Sequence, residues 1–163
     1  MISHGNVSAL MPMCAAAMMA FGAVVAAAPA QASGDEGGAV LNQINATRAA
    51  SGCGPVAPNP QLTASAARHA NDMLRSGVQA HTGSDGSSVV QRVTDAGYTS
   101  YSDLGEIVFW ANGPGGSPAA AVNWWMNSPG HRAVITDCGM TEAGFSAVRS
   151  GSMLTVAGDF GKK

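Results

Sequence analysis

The chain has 163 residues, a length suited to one domain, and its eight basic and ten acidic side chains leave a formal charge of −2. Only Lys162 and Lys163, at the very end, stand as an adjacent basic pair, so a phosphate-neutralising face for nucleic acid is disfavoured. A near-neutral chain rich in Gly and Ala points to no other partner by composition alone.

Residues 1–32 stand apart from the rest. They contain no Lys, Arg, Asp or Glu, and a near-continuous apolar run extends from Ala15 to Ala28. The run is too short and too rich in Ala for a membrane span, which takes about 20 strongly apolar residues. It closes on Ala30-Gln31-Ala32, the small-x-small pattern of a signal peptidase site. Residues 1–32 are therefore read as an export signal cut before Ser33, making the protein secreted; the alternative is an N-terminal buried helix. No transmembrane segment remains after the cut. Cys14 leaves with the signal, and Cys53 and Cys138 remain. An even count in an exported chain reads as a disulfide, with two buried thiols as the alternative. Neither cysteine has a second Cys or a His at metal-ligand spacing.

Residues 33–38, Gly- and acid-rich, read as a flexible lead-in. A helix is predicted from Ala39, with Val40, Leu41, Ile44 and Arg48 on one face and Ser51-Gly52 as its stop. A loop bearing Pro55, Pro58, Asn59 and Pro60 follows. Leu62, Ala66, His69, Ala70 and Met73 then recur at helical spacing up to Gly77, and His69 inside that stripe reads as a hydrogen-bonded core residue. A third helix carries Val89, Val90 and Val93 and ends at Gly97. Residues 103–111, with Ile107, Val108, Phe109 and Trp110, have the composition of a buried strand. After a Gly/Pro loop, Gly113 to Gly116, a helix runs from Ser117 to about Asn127. Ser128 then caps a short helix with Pro129 at its first position. Ala143–Val148 and Met153–Phe160, joined by a turn at 149–152, form a terminal hairpin. Trp110, Trp124 and Trp125 are expected in core packing, with the lining of a cavity as the alternative. The fold class is α+β, an antiparallel sheet with helices on both faces.

Chemistry-bearing residues are few. His81 lies in a Gly/Ser/Asp loop, His131 at a helix start, and Glu106 between them in the buried strand. A carboxylate there is costly without polar or charged partners, and a pocket shared with imidazoles supplies them. With Ser128 as N-cap, His131 is the third helical residue, where the positive end of the helix dipole disfavours imidazolium. A neutral ring suits a metal ligand or a general base.

The text Trp124-Trp125-Met126-Asn127-Ser128-Pro129-Gly130-His131-Arg132-Ala133, followed by Thr141-Glu142-Ala143-Gly144, resembles bacterial members of the CAP superfamily. Those are relatives of plant pathogenesis-related proteins, cysteine-rich secretory proteins and venom allergens. Gly105-Glu106 and Ala80-His81-Thr82 match too, and the resemblance covers most of residues 39–161, marking 39–163 as the domain. It implies a three-layer α-β-α sandwich with a small antiparallel sheet. It also implies a central cavity where two histidines and acids converge, in several members around a divalent metal such as zinc. Carried onto this chain, the pocket histidines are His81 and His131, the two possible metal ligands, and Glu106 is one acid. Asn127 takes the position of a second family glutamate, and Ile107 that of the Asn after the motif glutamate. Glu142 is a further candidate. Two functions compete. One is a secreted, monomeric binding module for a small, lipid-like or cell-envelope ligand. The other is a hydrolase in which His81, Glu106 and His131 activate water, with or without metal. No serine with a paired base is recognisable, since helix capping accounts for Ser128.

Overall fold

A computed structural model describes residues 35–163; the expected signal at 1–32 lies outside the described residues. The first helix, α1 (Gly37–Ala50), begins two residues ahead of the predicted start and buries Val40, Ile44 and Arg48. Asp35 and Glu36, ahead of it, are hydrogen-bonded to the strand holding Ala147 and to the helix start. One Asp35 oxygen accepts from the backbone of Gly37 and of Ala147, and Glu36 N–H donates to Ala147 O. The reason is an uncovered strand edge, whose backbone groups need partners.

A two-residue strand, β1 (Ala57–Pro58), lies inside the predicted Pro/Asn loop. Helix α2 (Pro60–Ser76) starts where Asn59 accepts from Gln61 and Leu62 N–H, and stops at Gly77 with φ 75°. Then come α3 (Val89–Asp95), β2 (Asp103–Asn112), α4 (Pro118–Met126) and α5 (Pro129–Ile135). The hairpin of β3 (Glu142–Ser150) and β4 (Met153–Lys162) closes the chain.

The sheet order is β1-β3-β4-β2, antiparallel except for β1 against β3. Alternate strand residues face opposite layers, as the two-residue period requires. Ile107, Phe109, Phe145, Val156 and Phe160 pack with Val40, Ile44 and Trp125 from α1 and α4. Val108 and Ala157 face Ala66, Ala70 and Met73 of α2. Helices thus flank a small, mostly antiparallel sheet in the α-β-α arrangement. Glu106 and Asp159 fall on the α2 side, in register with one another across β2 and β4. Among the described residues, no helix is long and apolar enough to cross a membrane.

Gly144 sets the closeness of α2 to the sheet. A Cβ there would sit 2.0 Å from Thr63 N, a backbone atom that cannot swing aside. Gly144→Ala should lower the unfolding free energy by about 3 kcal/mol, the scale of an overpacked core, as read from urea midpoints. Cys53 and Cys138 are disulfide-bonded, tying the end of α1 to the α5–β3 connection. Beside them the buried Arg48 donates to the carbonyls of Gly54, Ile135, Asp137 and Met140.

Candidate functional site

Glu106 sits in β2 with a side chain only 2% exposed. Its Oε1 accepts from His81 Nδ1 at 2.8 Å, and its Oε2 from the Arg92 guanidinium at 2.5 Å. Arg92 is buried on α3 and also donates to His81 O and Ser87 O. The strand carboxylate is therefore balanced by a buried guanidinium as well as an imidazole. Arg92 was missed in sequence, although Val89, Arg92, Val93 and Ala96 share one helical face and so mark it as inward. Burial opposes ionisation of Glu106, but the His81 hydrogen bond and the Arg92 charge overcome it and hold the carboxyl below its ordinary range. The same hydrogen bond raises the pKa of His81.

His69 is fully buried in α2, as expected, and its Nε2 lies 2.9 Å from Ala80 O, beside His81. Burial lowers its pKa, so the neutral ring donates through Nε2–H and anchors the loop that carries His81. Asp159 is a second omission of sequence reasoning. It is fully buried opposite Glu106, and neither oxygen has a hydrogen-bond partner. Burial, then the negative charge of Glu106, pushes its pKa well up, which favours the neutral form. Its signal was present in the alternation Thr155, Ala157, Asp159 along one face of a buried strand.

His81, Glu106, Ser128, Gly130, His131 and Val134 line one open cavity of about 260 Å³. His131 Nδ1 is 2.8 Å from Ser128 Oγ, and its ring centroid is 4.9 Å from that of Trp124. Its pKa is lowered in the expected direction, but by burial first and the nearby His81 second. Ser128 occupies the N-cap position of α5 without giving a side-chain cap bond, so capping does not account for its hydroxyl.

Two other candidates lie elsewhere. Asn127 ends α4 and donates back to Asn123 O at 2.9 Å. Glu142 accepts from Asn59 Nδ2 at 2.9 Å and Tyr98 OH at 2.8 Å, joining the start of α2 to β3. Neither is among the residues lining the cavity. Of the tryptophans, Trp125 is core and donates to Val108 O, as expected. Trp124 is 46% exposed and, with Phe109 and Trp110, lines a neighbouring cavity of about 130 Å³. Core packing is thus the wrong description of Trp124, because α4 turns that side of the helix outward.

A zinc ion in the large cavity would find two imidazoles. Both Glu106 oxygens are already engaged, and among the described residues no three His, Cys, Asp or Glu are grouped to hold a metal. Catalytic zinc takes three protein ligands, so this donor set does not fit a tightly held ion.

The sequence model of the cysteine-rich secretory protein family, CAP, matches residues 41–159. No curated protein matches the chain. Among solved structures, an extracellular protein of Bacillus anthracis containing an SCP domain is similar at TM-score 0.68 and 20% identity, over 78% of this chain and 40% of that one. An outer surface protein of Borrelia burgdorferi is similar at TM-score 0.69 and 20% identity, over 77% of this chain and 91% of that one. A cysteine-rich secretory protein of Staphylococcus aureus gives TM-score 0.59 at 19% identity, over 77% and 37% respectively. The chain therefore spans well under half of the Bacillus and Staphylococcus proteins. At these identities the likeness is one of fold.

Proposed function

The chain belongs to the cysteine-rich secretory protein family, and on that footing we propose that it is an exported binding module for a small amphipathic ligand with an acidic head. One observation carries this reading: His81, Glu106 and His131 converge on a single open cavity. Arg92 offsets Glu106 and burial favours the neutral form of Asp159 behind it, so protonation of His81 gives the cavity a positive charge. Val134 and the nearby Trp124 offer apolar surface for a chain. A lipid-like or cell-envelope acid has both parts. Export is supported by the signal-like residues 1–32 and by the fold's likeness to an extracellular protein and an outer surface protein.

Titration of the purified protein with decanoic acid and with decanol, followed by Trp fluorescence, tests the reading. The acid should bind about fivefold more tightly, the scale of one partly exposed charge pair. That preference should be present once pH exceeds the acid's own pKa, where it is a carboxylate, and fade as pH rises further through the raised pKa of His81, because imidazolium is the attracting form. His81→Ala should abolish the preference. Equal affinities for acid and alcohol at every pH would sink the reading. A second reading, ester hydrolysis, is favoured by the contact of Ser128 with His131.

A further inference from the structure

We propose that Ser128 and His131 are a nucleophile and its base for acyl transfer, making the cavity a site that hydrolyses small esters with an apolar acyl chain. The proposal rests on the reading of this cavity as the ligand site. Ser128 has the position of a helix cap without the cap bond; its Oγ instead meets His131 Nδ1 at 2.8 Å on the cavity wall. A base must hold a free lone pair, and His131 Nδ1 lies where it can accept the Ser128 hydroxyl. With Nδ1 accepting from the hydroxyl, the ring proton resides on Nε2. Trp124 packs against the imidazole and restrains its rotation. The same Trp124, with Phe109 and Trp110, walls the smaller cavity, where an acyl chain finds an aromatic lining. His81, hydrogen-bonded to Glu106 on the same cavity, is the imidazole available to the developing oxyanion.

The step balances without an added reactant beyond water. As Ser128 Oγ bonds to the ester carbonyl carbon, its proton passes to His131 Nδ1. Collapse of the tetrahedral adduct breaks the bond to the alcohol, which takes that proton and leaves. Water then attacks the acyl-enzyme, again giving a proton to Nδ1, and Ser128 departs with the proton restored. The acid released is of the same chemical class as the proposed ligand.

A fluorophosphonate probe followed by peptide mapping should place an adduct on Ser128, absent from Ser128→Ala and His131→Ala. Hydrolysis of 4-nitrophenyl butyrate should fall about 100-fold in kcat/KM in Ser128→Ala, the scale of a lost nucleophile–base pair. Decanoic acid binding by the unaltered protein is read separately, so that binding without ester turnover marks failure here and absence of both marks failure of the binding reading. Ser128→Cys supplies a control against mere ring positioning: iodoacetamide should alkylate it faster with His131 present than in the double variant with His131→Ala. A folded protein whose Ser128 stays unlabelled, or ester turnover equal in wild type and Ser128→Ala, would overturn the proposal.

Discussion

Arg92→Ala should destabilise the protein by about 3–5 kcal/mol, the range for removing one partner of a buried ion pair. The side chains of Arg92 and Glu106 are 1% and 2% exposed, so neither charge is shared with bulk water. Truncating the guanidinium strands a carboxylate beside a second buried acid, Asp159, and also frees the carbonyls of His81 and Ser87. Glu106 would then be left to His81 alone, and the pKa of His81 should rise further, because the Arg92 charge that opposes its protonation is gone. Urea denaturation and histidine NMR titration read the two effects. The double variant Arg92→Met with Glu106→Leu should recover most of the lost stability, because apolar replacement of a whole buried pair is often neutral. A surviving raised pKa for His81 in that double variant would contradict the assignment of its cause to Glu106.

Reduction of the disulfide is the second large effect. Closing an 85-residue loop is worth about 4–5 kcal/mol in the chain-entropy model. Arg48 already fastens the same junction through four carbonyls, which remain in place when the sulfurs part. The native junction therefore survives reduction, and the expected loss, about 4 kcal/mol, comes from the freedom the unfolded chain regains. Thermal unfolding with and without dithiothreitol, repeated for Cys53→Ser, measures it. Against a total stability of about 5–15 kcal/mol for a domain of this kind, either change is a large fraction.

The helices and the hairpin were legible in sequence because each carries its own period. The stripe from Leu62 to Met73 and the run from Ile107 to Trp110 announce one buried face and one buried strand. The strand Ala57–Pro58 was not legible: two residues next to prolines have no period, and they become a strand only when β3 lies alongside. The same holds for Asp35 and Glu36, whose partners sit more than a hundred residues away. At the site, the expense of burying Glu106 was enough to predict charged company, and His81 supplied part of it. Arg92 and Asp159 were overlooked because each lies in a segment read only for its apolar residues. Asn127 and Glu142 were carried over from the resemblance, and the structure places them at a helix end and a strand start. Ser128 was assigned the role its position suggests, whereas its hydroxyl faces a ring three residues on.

Arg92 grips both the floor of the cavity, through Glu106, and the rim, through the backbone of His81. On the binding reading proposed above, a guest molecule would meet a receptacle whose floor and rim are already tied together, with little freedom to surrender on arrival. Selectivity in such a vessel comes from the fixed outline of its walls, and association should proceed in one kinetic phase rather than two.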